Sequence, residues 1–195
     1  MASGRGSNFV SIADAIGRGE INAEIVLLIC NKPGAGAIDA AKARRIKVKV
    51  LESKGVPAAE YDRQLVEVLK GCNPDLVVLA GYMKIVGKAI IDAFPMKIVN
   101  IHPALLPAFP GLDVQKQALD YGVKVAGCTV HFVDEGVDTG PIILQKAVPV
   151  KDNDTAETLS KRILTQEHRL YPEAVKLFSE GKLEVKGRRV LIERD

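Results

Sequence analysis

Four short runs, Glu24–Cys30, Lys47–Leu51, Asp75–Ala80 and Ile98–Ile101, constrain the fold more than any other feature of the chain. They are nearly continuous in Val, Ile and Leu, as strands covered on both faces are. Between them, Ile38–Arg45, Ala58–Gly71 and Gly87–Ala93 carry apolar residues at helical spacing, and Cys72-Asn73-Pro74 supplies a stop for the second. Phe9–Ile16 is amphipathic in the same way. Strand and helix in repeated alternation require parallel neighbours joined by crossovers, so the expected fold class is α/β with a doubly wound, mostly parallel sheet.

The rhythm changes after Pro110. Val114–Tyr121 reads as a helix and Lys124–Val133 and Ile142–Val150 as strands, which gives the C-terminal half an antiparallel portion. Asp154-Thr155-Ala156-Glu157 then opens a long helix with a cap and an acidic first turn. That helix should reach about Phe178 and bend or break near Tyr171-Pro172, because proline lacks a donor. Gly181 and Gly187 frame a terminal hairpin. At 195 residues the chain suits a single domain over 1–195, with halves 1–100 and 101–195.

Charge and composition exclude several classes. Net charge is +3, yet Lys182, Lys186, Arg188 and Arg189 alternate with Glu184 and Glu193, aromatics are 5% and Trp is absent. Neither a stacking platform nor a continuous basic stripe results, so no nucleic-acid partner is expected. A mild positive balance does suit anionic small substrates. No apolar stretch has the length of a spanning helix and no targeting segment opens the chain, so no membrane partner and a cytoplasmic location are expected. Cys30, Cys72 and Cys128 contain no CxxC pair, which argues against a disulfide framework or a zinc ribbon.

Two segments carry the chemistry. Asn100 and His102 are two apart, so on extended backbone both project to one side, and Pro103 ends the strand at the carboxyl edge where open α/β sheets bind ligands. Asp134, Glu135, Gly136, Val137 and Asp138 form a loop between two apolar strands. Were Asp138 to meet His102, the carboxylate would fix the ring's tautomer, and amide, imidazole and acid together could stabilise an oxyanion and move protons. A metal set of His102, His131 and Asp138 lacks HExxH or His-x-His spacing, so no metal is expected and His131 reads as structural. Ser3-Gly4-Arg5-Gly6-Ser7-Asn8 opens an amphipathic helix and could cradle a phosphate, although a flexible tail has the same composition. On spacing alone, Thr165-Gln166-Glu167-His168 is a polar helical face.

Taken in order, these motifs resemble the phosphoribosylglycinamide formyltransferase family, also called glycinamide ribonucleotide transformylases, among the folate-dependent formyltransferases. The resemblance spans essentially the whole chain, through Ser3–Asn8, Leu79-Ala80-Gly81-Tyr82-Met83, Asn100-Ile101-His102-Pro103, Leu105-Leu106-Pro107, Gly127–Val133, Asp138-Thr139-Gly140-Pro141-Ile142 and Thr165–Pro172. It implies a Rossmann-like formyltransferase fold, with a nucleotide-phosphate half and a folate-binding and catalytic half. The implied activity is formyl transfer from 10-formyltetrahydrofolate, as co-substrate, to the amine of glycinamide ribonucleotide. Asn100, His102 and Asp138 would be catalytic, Gly6, Ser7 and Asn8 would hold the phosphate, and Glu167 would hold the ribose hydroxyls. Met83, Lys84, Ile85, Val86, Asn100 and the loop Asp134–Asp138 would surround the folate.

The resemblance also suggests a cis peptide before Pro107. The family normally places a strand before Ser3, where this chain has only Met1 and Ala2, and carries His and Ser where this chain has Asp113 and Ala104. A formyltetrahydrofolate hydrolase, or a catalytically silent nucleotide- or folate-binding module, are the alternatives. The chain could be a monomer or a homodimer.

Overall fold

The computed structural model describes residues 1–193, and these divide into two compact units that meet in sequence between Val99 and Asn100. In the first unit, α1 (Ser7–Gly17), β1 (Leu28–Cys30), α2 (Gly36–Ala43), β2 (Val48–Val50), α3 (Ala58–Cys72), β3 (Val77–Leu79) and α4 (Lys88–Ala93) alternate as expected. β1 and β2 are parallel, with Leu28 opposite Val48 and Cys30 opposite Val50.

Met1 and Ala2 form a short extended segment between β1 and β3. Ala2 N–H donates to Ile29 O at 3.0 Å, the Met1 nitrogen to Val78 O at 2.6 Å, and Ala80 N–H to Met1 O at 2.9 Å. The backbone leading into Ser3 is thereby held from both sides. Apolar packing supports it: Ala2, Phe9, Ala13, Leu28, Ala37, Ala41 and Ala80 make one buried cluster.

β4 (Ile98–His102) leads into the second unit, which continues with α5 (Val114–Tyr121), β5 (Val125–Phe132), β6 (Ile142–Pro149), α6 (Ala156–Ser179), β7 (Leu183–Lys186) and β8 (Arg189–Ile192). Its strands lie in the order β4-β5-β6-β8-β7. β5 and β6 are antiparallel, β6 and β8 parallel at Ile142 and Arg189, and β7 and β8 form the antiparallel terminal hairpin. The result is a mixed sheet, and α6 packs its buried Leu159, Ile163, Leu170, Tyr171, Ala174 and Val175 in this unit.

Several boundaries differ from the sequence reading for physical reasons. β1 covers only the last three residues of the apolar run Glu24–Cys30, because pairing with β2 begins at Leu28 and leaves Val26 41% exposed. α2 begins two residues earlier than its periodicity suggested and stops before Arg45, whose φ of 59° is left-handed. α6 runs unbroken through Pro172. Proline deletes one intrahelical bond, and the buried residues on both sides of it hold the helix together. The helix starts where the cap was expected: Thr155 Oγ1 accepts from Thr158 N–H and Thr158 Oγ1 accepts from Thr155 N–H.

Candidate active site

β4 delivers Asn100 and His102 to its carboxyl end, and the loop after β5 delivers Asp138, so three of the expected residues do meet. His102 is 4% exposed, and its Nδ1 lies 3.3 Å from Asp138 Oδ2. Its other nitrogen, Nε2, is 2.8 Å from the carbonyl of Phe109. A carbonyl only accepts, so Nε2 carries a proton. Both ring nitrogens thus face oxygen.

Asn100 Nδ2 lies 3.2 Å from His131 Nε2 and 3.5 Å from Asp138 Oδ1. The carboxylate fixes the amide's orientation, since turning it over would set two oxygens against each other. At 3.5 Å the bond to Asp138 is the weaker of the two, which makes that N–H the one most readily shared with another oxygen.

His131 on β5 takes part directly. It is 2% exposed, its Nδ1 donates to Phe132 O at 2.8 Å, and its Nε2 is 3.7 Å from Asp138 Oδ1. The sequence reading treated this histidine as structural, and its bond to Phe132 O is that. Its contact with Asn100 was not anticipated.

Asp138 is the hub. Its Oδ2 also accepts from Gly111 N–H at 2.9 Å. Burial alone would raise this carboxyl, but the nearby rings of His131 and His102 and the hydrogen bond from Gly111 N–H hold it below the ordinary carboxylate value. Its φ of 55° is left-handed, and such conformations in residues other than glycine cluster at functional sites.

Phe109 and Gly111 act through backbone atoms, so no side-chain pattern could have announced them. The segment that carries them is anchored deep in the unit. Thr129 Oγ1 donates to Ala104 O at 2.7 Å and accepts from Leu106 N–H at 3.1 Å, while Gln145 Nε2 donates to Leu106 O at 2.8 Å. The Leu106–Pro107 peptide is cis, as the resemblance suggested. Asp113, where the family carries His, sits at φ 54° just before α5 and is exposed. Ala104, where the family carries Ser, is buried at 4% exposure.

Glu167 is buried on α6. Burial, with the nearby Glu167 carboxylate, pushes the Cys128 thiol up to about 12, so that cysteine is an inert core residue. In the other acidic part of the expected folate set, Asp134 Oδ1 accepts from Gly136 N–H at 3.1 Å and from Thr139 Oγ1 at 2.6 Å. Those bonds close the loop, and Val137 remains 50% exposed at its tip.

The first unit holds the remaining expected residues. Gly6 caps α1 with φ 78°, and a Cβ there would meet Ala37 Cβ at 2.6 Å, so only glycine fits. As the N-cap, Gly6 offers no side chain to the first turn of the helix, an arrangement that suits an anion there. Met83 and Ile85 are 66% and 76% exposed, whereas Val86 between Ile85 and Gly87 is buried. Met83 and Ile85 thus present two large apolar side chains on the surface of one loop. Among the described residues no group of His, Cys, Asp and Glu is arranged to hold a metal ion, and no helix is long and apolar enough to cross a membrane.

Comparison with known proteins shows the family. Residues 1–175 match the model of the formyl transferase family. The chain is 46% identical to the phosphoribosylglycinamide formyltransferase of Bacillus subtilis, over 90% of this chain and 91% of that protein. It is 45% identical to the trifunctional purine biosynthetic protein adenosine-3 of Drosophila pseudoobscura pseudoobscura, over 94% of this chain but 14% of that much longer protein. The crystal structure of glycinamide ribonucleotide transformylase 1 from Symbiobacterium toebii superposes with a TM-score of 0.96 at 49% identity, covering 98% of this chain and 91% of that one.

Proposed function

Because the chain belongs to the formyl transferase family, we propose that it transfers the formyl group of 10-formyltetrahydrofolate to the amine of glycinamide ribonucleotide, a step of purine biosynthesis. The observation that carries the reading is the convergence of Asn100, His102 and Asp138, with His131, on one point. It is supported by similarity, over nearly the whole chain, to proteins named for this reaction.

The amine itself attacks the formyl carbon, so no Ser or Cys nucleophile is needed. The amine gives up a proton as the new C–N bond forms, and the folate nitrogen takes one as the old bond breaks. The protein's work is positioning and charge stabilisation. Asn100 Nδ2 holds the formyl oxygen with the N–H now only loosely bonded to Asp138. His102 Nε2 donates to that oxygen as negative charge develops, in place of Phe109 O, which already occupies an acceptor position 2.8 Å away. Asp138 orients His102 and a bridging water. Gly6, Ser7 and Asn8 hold the phosphate, Glu167 the ribose hydroxyls, and Met83, Lys84, Ile85, Val86 and the loop Asp134–Asp138 the folate. Exposed Met83, Ile85 and Val137 are the apolar part of that last set. No metal takes part, and the acceptor is a small molecule, not a nucleic acid.

A spectroscopic formyl-transfer assay run with and without glycinamide ribonucleotide tests the reading. Folate turnover is expected only when the ribonucleotide is present, and His102→Ala should lower turnover on the order of a hundredfold to a thousandfold. Formate release without ribonucleotide would instead indicate a hydrolase, and binding of both substrates without turnover a silent module.

A further inference from the structure

Ser3, at the start of the glycine loop, hydrogen-bonds a second loop to which the reading above gives a different substrate. Its N–H donates to Gly81 O at 3.1 Å, and its Oγ accepts from Met83 N–H at 2.8 Å. One residue therefore clasps the chain on either side of Tyr82, at the turn where Gly81 takes φ 71°. Ser3 is 4% exposed.

Each loop is otherwise secured at its far end. On the N-terminal side, Gly4 O accepts from Ala37 N–H at 3.1 Å, directly before Gly6, Ser7 and Asn8. On the other side, α3 grips the segment after Met83. Tyr61 and Tyr82 share a hydrogen bond of 2.8 Å, Lys84 Nζ stands 4.8 Å from the centre of the Tyr61 ring, and a Cβ on Gly87 would fall 1.8 Å from Asp62 Oδ2. The backbone from Gly81 to Gly87 is thus held at both ends while Met83 and Ile85 project outward. Ser3 is the connection between that platform and the glycine loop.

We propose that Ser3 is a positioning residue that couples the two substrate loops, so that ribonucleotide phosphate at Gly6–Asn8 stiffens Met83–Val86 and tightens folate binding. Occupation of the glycine loop restrains Ser3 and, through its hydroxyl, the Met83 amide. The second ligand then meets a loop whose ordering is already complete, which is sufficient for positive coupling without a change of shape. The inference rests on the function proposed above.

Calorimetric titration of tetrahydrofolate, with and without saturating glycinamide ribonucleotide, tests it. In the parent protein the ribonucleotide should lower the tetrahydrofolate Kd by about fivefold or more, the lower end of ordinary couplings. Ser3→Ala should bring that ratio close to one while the ribonucleotide's own Kd stays within about twofold. Ser3→Thr, which keeps the hydroxyl, should retain the parent ratio. A parent ratio of one, or an undiminished ratio in Ser3→Ala, overturns the coupling. Should Ser3→Ala fail to fold, amide exchange in the parent decides: ribonucleotide slows exchange at Met83 if the clasp transmits, and leaves it unchanged if it does not. A parent that transfers formyl groups yet shows no coupling rejects this inference alone, whereas a parent without formyl transfer removes the functional reading and the inference with it.

Discussion

Asn100 and His102 show how far a spacing of two can be trusted. Period-two alternation put both on one side of a strand, Pro103 marked where the strand ends, and the fold agrees on both counts. What spacing could not supply was the rest of the hydrogen-bond inventory: the Phe109 carbonyl, the Gly111 amide and the His131 ring. Backbone donors have no residue identity to read, and His131 reveals its second role only when β5 is placed beside β4. The hub itself can be tested by Asp138→Asn, which preserves shape but removes the charge and one acceptor. His102 and Gly111 N–H then compete for poorer partners, and turnover should fall on the order of a hundredfold with little change in fold, checked by kcat and circular dichroism. His131→Asn should be milder, about tenfold in kcat, because it acts on Asn100 and not on the oxyanion itself.

Elements with strong local signals appeared close to where they were expected, and the discrepancies fall at their ends. β1 lost the first four residues of its apolar run, Glu24 to Leu27, because a strand exists only where a neighbour pairs with it, and β2 begins opposite Leu28. α6 survived Pro172 because burial outweighs one missing bond. Its N-terminus makes a separate prediction: Thr155→Ala removes the acceptor for Thr158 N–H and should lower stability by about 1 kcal/mol in denaturant unfolding. The segment carrying Phe109 and Gly111 depends on β5 and β6. Thr129→Val would strand Leu106 N–H and take a partner from Gln145. Each buried polar group left unpaired costs about 1–3 kcal/mol, so this variant should unfold earlier and also lose activity through His102, as paired denaturation and kcat measurements would show.

Over the full chain, acid sensitivity follows from the carboxylates. Asp138 is held low by the nearby His131 and His102 rings and the Gly111 N–H bond against the opposing effect of burial, and Asp154 is driven far down, chiefly by its hydrogen bonds from Arg162 and from Lys151 N–H. A carboxyl depressed in the folded state stabilises it fully above the unfolded value, about 3.9 for Asp, and loses that contribution as pH falls through the lower folded value. Asp62 runs the other way, since burial raises it despite Lys84, so protonation relieves rather than removes stability there. Two opposing groups do not balance when Asp154 has a doubly bonded Arg162 partner at 2.6 and 2.8 Å. Net stability should therefore decline as pH drops below about 4, and Asp154→Asn should flatten that decline in a thermal-melt series across pH.

Alternating apolar runs, the proline and glycine stops, and the paired Asn100 and His102 were legible in the residue order because each depends on neighbours a few positions away. Residue order also carried the family resemblance, since several short motifs in a given succession are specific even when each is weak. The meeting of Asp138 with residues 38 and 36 positions earlier, the approach of the Phe109 carbonyl to His102, and the clasp between Ser3 and Met83 across 80 positions came from folding. Such contacts are chosen by strand order and loop closure, whose energies reside in packing between distant segments and leave no periodic trace in either one.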